Sequence, residues 1–140
     1  MIVTIDVGNT TIAVGLFNNR RQCSFFAIPR DAYRRGAIIR KLRREKVKQV
    51  HMCVLCSVVP RLNAQIKKEI REFFACPIYI IGKDILLTIK HRYKKIRTLG
   101  NDRLVNVYGA LRLYKTPFVV IDFGTAITFD YVNKQGVYEG

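Results

Sequence analysis

Long apolar runs are missing from this chain. None approaches the ~18 residues of a membrane span, and the N-terminus enters a strand-like segment with no basic leader; both argue against a span or a signal peptide and for a cytoplasmic protein. Acidic residues are scarce: ten Asp and Glu stand against 25 Lys and Arg, a formal net charge of +15. That balance by itself suggests nucleic acid. No RNA- or DNA-binding motif accompanies it, however, and the charge lies in Tyr33 to Lys48, in Lys90 to Arg97 and at scattered positions rather than in one recognition element. A solvated basic face, which also attracts ATP, is the simpler reading. A second pair of metal ligands is absent too. Cys53-x-x-Cys56 sits in His51 to Cys56, a buried strand in pattern, where residues three apart point to opposite faces. Buried structural thiols in a reducing compartment are expected.

What is present indicates a folded globular protein of one-domain size: 140 residues, 49% hydrophobic, with seven Tyr and eight Phe. The opening stretch Ile2 to Phe17 places one carboxylate and a glycine turn between two apolar runs, Ile2, Val3, Ile5 and then Ile12, Ala13, Val14, Leu16, Phe17. This predicts a β-hairpin with the turn Asp6-Val7-Gly8-Asn9-Thr10-Thr11. A glycine there lets backbone N–H groups approach an anion, the threonines add hydroxyl donors, and Asp6 suits a divalent cation. Any tight hairpin favours Gly and Asn, so the segment alone also reads as a plain turn. The pattern returns, however, at Val119 to Asp130, where an apolar strand leads into Asp122-Phe123-Gly124-Thr125 and a second strand. Two such hairpins suggest two similar half-domains facing a shared ligand, and a triphosphate with its metal is the natural object.

Between the hairpins the chain reads as alternating strand and helix. Gln22 to Ile28 is a third strand, ended by Pro29. Asp31 caps a helix from about Ala32 to Lys46 with Ile38, Ile39 and Leu42 as its apolar stripe, in which Gly36 costs ~1 kcal/mol relative to Ala. Val50 to Val59 is a central strand, and Pro60 opens a helix carrying Leu62, Ile66, Ile70 and Phe73. Ile78 to Ile81 is a short strand. Leu87 to Leu99 is a basic loop or extended arm, and Leu104 to Leu113 marks a helix with Asn101 or Asp102 at its N-terminus. Pro117 precedes the second hairpin, so a lobe boundary is expected at Lys115 to Pro117.

The pair DVGNT and DFGTAITFD resembles the two phosphate loops of the actin, hexokinase and Hsp70 superfamily of ATPases. With CSVVP at Cys56 to Pro60, GNDRLVN at Gly100 to Asn106 and GVYEG at Gly136 to Gly140, the whole chain resembles, in register, a type III pantothenate kinase. The resemblance implies an α/β fold: an RNase H-like (actin-like ATPase) lobe with a mixed sheet over residues 1–116, carrying the substrate arm and catalytic helix, and over residues 117–140 the truncated first hairpin of a second, similar lobe. It implies ATP-dependent phosphorylation of pantothenate at its terminal hydroxyl, the entry step to coenzyme A. Mg²⁺ and a monovalent cation, K⁺ or NH₄⁺, would be required. A homodimer is implied, and because the family continues beyond GVYEG, a missing C-terminal half as well. A non-catalytic member of the same family, of the Bvg accessory factor kind, is the alternative, and a basic nucleic-acid-binding module a third.

Phosphoryl transfer to an alcohol needs charge neutralisation, donors that align the phosphates and a carboxylate to take the proton. Asp6 is the Mg²⁺ candidate, with Gly8, Asn9 and Thr10 around the phosphates and Gly124, Thr125 and Thr128 as the opposing wall. Asp102, at the first turn of a helix whose dipole favours its ionised form, is the candidate base; on local sequence alone it reads first as a cap, a preference that the family motif reverses. By resemblance it is the catalytic carboxylate, with Gly100, Arg103 and Tyr93 at pantothenate and Asp130 at the monovalent cation. Asp122 orients a metal-bound water or pins its turn. Two departures stand out: Tyr93-Lys94-Lys95-Ile96 replaces the family's Tyr-x-Asn-Pro, and Asn101 stands where a small residue is usual.

Overall fold

The computed structural model describes residues 1–19, 21–94 and 99–140, in two compact units, Met1–Ile85 and Leu86–Gly140. In the first, β1 (Ile2–Val7), β2 (Thr11–Asn18) and β3 (Arg21–Pro29) form an antiparallel meander. Helix α1 (Ala37–Arg44), β4 (Met52–Ser57), α2 (Pro60–Phe74) and β5 (Ile78–Ile80) follow. The sheet order is β3-β2-β1-β4-β5, with β4 parallel to both β1 and β5. This is an α/β unit with a mixed sheet. Alternation along β1 sends Val3, Ile5 and Val7 into a core with Ile12, Val14 and Leu16 of β2 and with Ile38, Leu42, Ile66 and Ile70 of the helices. Asp6 points the other way and is exposed at the end of the strand.

Helix α1 is shorter than its sequence suggests. Gly36 takes φ +84°, a left-handed conformation that a right-handed helix cannot continue through, so the helix begins only at Ala37. Asp31 does not cap it. Its carboxylate accepts the Ala32 N–H at 2.8 Å, within a separate turn. In α2, Ile66 and Ile70 are buried, but Phe73 stays at the surface, edge-on to Phe74 and beneath the Arg43 guanidinium. One buried carboxylate, Glu69, is satisfied by the Tyr33 hydroxyl (2.6 Å) and the Ile39 N–H (3.3 Å). Cys53, Cys56 and Cys76 are buried and Cys23 is exposed.

The second unit contains α3 (Asn101–Leu113) and the antiparallel pair β6 (Phe118–Phe123) and β7 (Ile127–Val132). Its core is Val107, Val132 and Tyr138, with Tyr93, Leu99, Leu111 and Phe118 packed against them. Helix and hairpin therefore share one core, whereas the boundary expected at Lys115 to Pro117 falls between them. The basic arm from Leu87 lies partly in this unit, through Ile89 and Tyr93; Lys95 and Ile96, the end of the Tyr93-Lys94-Lys95-Ile96 stretch, lie outside the described residues. Among the described residues no helix is long and apolar enough to cross a membrane.

Candidate active site

Asp6 is the fifth residue of a six-residue strand, and Asp122 is the fifth residue of another. Their hairpins match in register. Val3, Ile5 and Val7 face Leu16, Val14 and Ile12 across the first; Val119, Ile121 and Phe123 face Tyr131, Phe129 and Ile127 across the second. In each turn the glycine amide closes the turn itself: Gly8 N–H donates to Thr11 O (2.9 Å) and Gly124 N–H to Ala126 O (3.2 Å). Asn9, Thr10 and Thr125 sit exposed at the tips. The carboxylates differ in support. Asp122 accepts a hydrogen bond from Asn106 Nδ2 at 3.3 Å, which ties the second turn to α3. The bond gives Asp122 a partner inside the Gly100 to Asn106 segment.

Helix α3 begins at Asn101, with Gly100 as its N-cap and Asp102 in its first turn. The Asp102 carboxylate folds back over the cap and accepts the Arg103 N–H at 2.9 Å. A Cβ at Gly100 would lie 2.2 Å from Asp102 Oδ1, so this seat exists only because residue 100 has no side chain. Asp102 remains partly exposed.

Arg103 and Asp130, assigned separate tasks from sequence, are brought together. The guanidinium donates from Nε (3.0 Å) and Nη2 (2.6 Å) to Asp130 Oδ1, and from Nη2 to Phe129 O (3.2 Å). Asp130 is fully buried and Arg103 about a quarter exposed, so the pair is a part-buried ion pair with the open side at the arginine. Donation to the Asp130 carboxylate holds the Arg103 pKa above its ordinary value. The Tyr138 hydroxyl also donates to Asp130 Oδ1; burial first and this bond second raise the Tyr138 pKa. Tyr93 stacks on Tyr138 with ring centroids 5.3 Å apart and planes 26° from parallel. Tyr93, Arg103, Asp130 and Tyr138 thus form one cluster. Tyr138 and Asn106 have no role legible in sequence, although each lies inside a motif that signalled the family; burial and a bond to a distant carboxylate are what mark them.

Among the described residues, Asp130 Oδ2 and Thr128 Oγ1 are buried oxygens with no hydrogen-bond partner. They lie two residues apart on β7, on the face shared with Asp122. Oxygen donors of this kind suit a hard cation.

The family model for type III pantothenate kinase matches residues 2–140. The type III pantothenate kinase of Persephonella marina is 36% identical over 150 aligned positions, covering 100% of this chain and 58% of the relative. Those of Citrifermentans bemidjiense and Geobacter sulfurreducens are each 33% identical, with the same coverage. The chain spans a little over half the length of these curated relatives. A match that begins at the first strand, takes in both hairpins and α3, and runs to the last residue leaves one conclusion: the chain belongs to the type III pantothenate kinase family.

Proposed function

We propose that this chain carries the pantothenate-binding and proton-accepting part of an ATP-dependent pantothenate kinase, which transfers the γ-phosphoryl group to the terminal hydroxyl of pantothenate on the way to coenzyme A. The observation that carries the reading is the seat of Asp102: a carboxylate in the first turn of α3, held by a backbone N–H and accommodated by a side-chain-free Gly100. In that role Asp102 accepts the hydroxyl proton as the oxygen attacks phosphorus, and ADP leaves.

Arg103 and Tyr93 are assigned to pantothenate, the guanidinium through its exposed side. Gly8, Asn9 and Thr10 in one turn, and Gly124, Thr125 and Thr128 in the other, are assigned to the phosphates of ATP. The exposed carboxylate of Asp6 fits Mg²⁺, which binds through one or two carboxylates plus substrate phosphates. Asp130 Oδ2 and Thr128 Oγ1 fit the monovalent cation, K⁺ or NH₄⁺, because both are buried oxygens otherwise unsatisfied. These cations supply charge neutralisation for the triphosphate. The register match between the hairpins supports reading β6 and β7 as the start of a second lobe like the first, and a homodimer is the assembly proposed with it.

The test is ADP release with ATP, Mg²⁺, K⁺ and pantothenate, by the chain joined to the part of the Persephonella marina relative outside the match. Turnover is expected, and Asp102→Asn should lower it about 10²–10⁴-fold while pantothenate binding and the circular dichroism spectrum persist. A folded joined protein that binds pantothenate yet turns over equally well as Asp102→Asn overturns the assignment of the base. One that neither binds nor turns over overturns the kinase reading.

A further inference from the structure

Tyr138 is fully buried and is tied to three different parts of the second unit. Its backbone holds the basic arm: Tyr138 N–H donates to Lys90 O (2.8 Å), and its carbonyl accepts the Arg92 N–H (3.0 Å). Its ring stacks on Tyr93, the next residue of that arm, and its hydroxyl donates to Asp130. On the β7 side, Glu139 N–H donates to Tyr131 O and Tyr131 N–H to Gly140 O, each at 2.9 Å. The segment from Val137 to Gly140 thus lies between the arm and β7, and an ion pair from Arg92 to Glu139 at 3.4 Å reinforces the arm side.

Filling the core needs only the ring, and a phenylalanine would serve; a buried hydroxyl is costly unless it is bonded. What the hydroxyl adds is a second grip on Asp130 Oδ1. The Arg103 guanidinium holds that oxygen from α3 with Nε and Nη2, and Tyr138 holds it from the Val137 to Gly140 segment. Donors that converge on one oxygen from two elements stop the carboxylate from swivelling, so the fork of Arg103 has one place to dock. With Nε and Nη2 engaged by Asp130 and Phe129 O, Nη1 is the guanidinium nitrogen left without a bond to a described residue. Arg103 is also the partly exposed member of the pair.

We propose that Tyr138 is a positioning residue of the substrate site: its hydroxyl, through Asp130, sets the Arg103 guanidinium so that Nη1 meets the ligand's carboxylate, and its ring sets Tyr93 against the same ligand. The proposal rests on the reading of Arg103 and Tyr93 as pantothenate contacts. A carboxylate held by Nη1 alone is bound end-on rather than by a fork of two nitrogens, so its affinity depends on where that one nitrogen is fixed. Tyr138, wholly buried, acts through its neighbours and not on the ligand.

The test uses the chain joined to the part of the Persephonella marina relative outside the match, at constant K⁺, with two ligands: pantothenate, and pantothenyl alcohol, which carries a hydroxymethyl group in place of the carboxylate. By calorimetry Tyr138→Phe should weaken pantothenate about tenfold and the alcohol by less than about twofold, so that discrimination between them shrinks. In turnover the loss should fall on the KM for pantothenate. Tyr138→Leu, which removes the stack as well, should weaken both ligands. A second readout needs no ligand: the Arg103 Nε–H resonance, identified by its loss in Arg103→Lys, should exchange with solvent about fivefold faster or more in Tyr138→Phe while the circular dichroism spectrum is kept. A Tyr138→Phe protein that discriminates as before, or that loses both ligands equally, overturns the proposal, and so does an unchanged Nε–H. An alcohol bound equally well by Tyr138→Leu overturns the part given to the ring. Failure of the unaltered joined protein to bind pantothenate, with the Nε–H still responding, overturns instead the reading of the site on which the proposal stands.

Discussion

Gly100 and Asp102 act as a pair. The carboxylate occupies the space where a side chain at residue 100 would stand, so Gly100→Ala pushes Oδ1 away from a point only 2.2 Å off. Nothing else is asked of the glycine, since its φ of −59° is open to any residue. With Asp102 in its proposed role as the base, the substitution should lower turnover of the joined protein by about 100-fold, the cost of misplacing such a group by roughly 1 Å, while leaving the melting temperature nearly unchanged. Equal turnover in Gly100→Ala would show that the seat does not matter. This much was legible in Gly100-Asn101-Asp102-Arg103, because a cap and a first-turn acid are local features. Tyr138 was not. Its hydroxyl meets Asp130 across an isolated bridge between its own residue and Val132, and burial of that kind leaves no local mark in Gly136 to Gly140. The partnership of Arg103 with Asp130, 27 residues apart, was equally invisible: both residues were identified from motifs, but a motif does not record which side chains meet.

At the scale of the element, Gly36 reverses the sign of an expectation. In the interior of a helix running from Ala32 it would cost stability, and alanine would improve it. At φ +84°, just before Ala37, the left-handed conformation penalises any Cβ, and Arg40 Nη1 lies 3.0 Å from where that Cβ would stand. Gly36→Ala should destabilise the first unit by about 1–2 kcal/mol, read from the urea midpoint; a gain would place the glycine back inside a helix. The strands were read more accurately than this helix. Alternation of apolar and polar residues fixes a strand's face over its whole length, whereas a helix start depends on one backbone conformation that a glycine permits but does not announce. The same logic explains Phe73, which holds a correct helical position beside Ile66 and Ile70 but at the margin of the stripe, where the core no longer reaches.

For the whole molecule, four raised pKa values point one way. Burial pushes the Cys53 thiol up to about 12 from 9.0 and raises Cys76, while burial and then the bond to Glu69 raise Tyr33 above 10.0. Tyr138 behaves similarly. Each group keeps its proton when folded and loses it more readily when unfolded, so above the unfolded values the unfolded chain binds fewer protons and stability falls with rising pH. The stabilisation is complete below pH 9.0, the lower of the ordinary values, and declines through the alkaline range. The urea midpoint should drop progressively there, and Cys53→Ala should flatten the first part of the decline; a midpoint flat far into that range would contradict it.

The two cores are of very different extent. The first joins residues from five strands and two helices, and the second rests on Val107, Val132 and Tyr138. Chain order gives this imbalance a direction in time. The first unit closes with β5, and its last residue, Ile85, is synthesised before any residue of α3. The half that carries its own cover is the half that leaves the ribosome first, and it is able to settle while Asp102 and its neighbours are still being made.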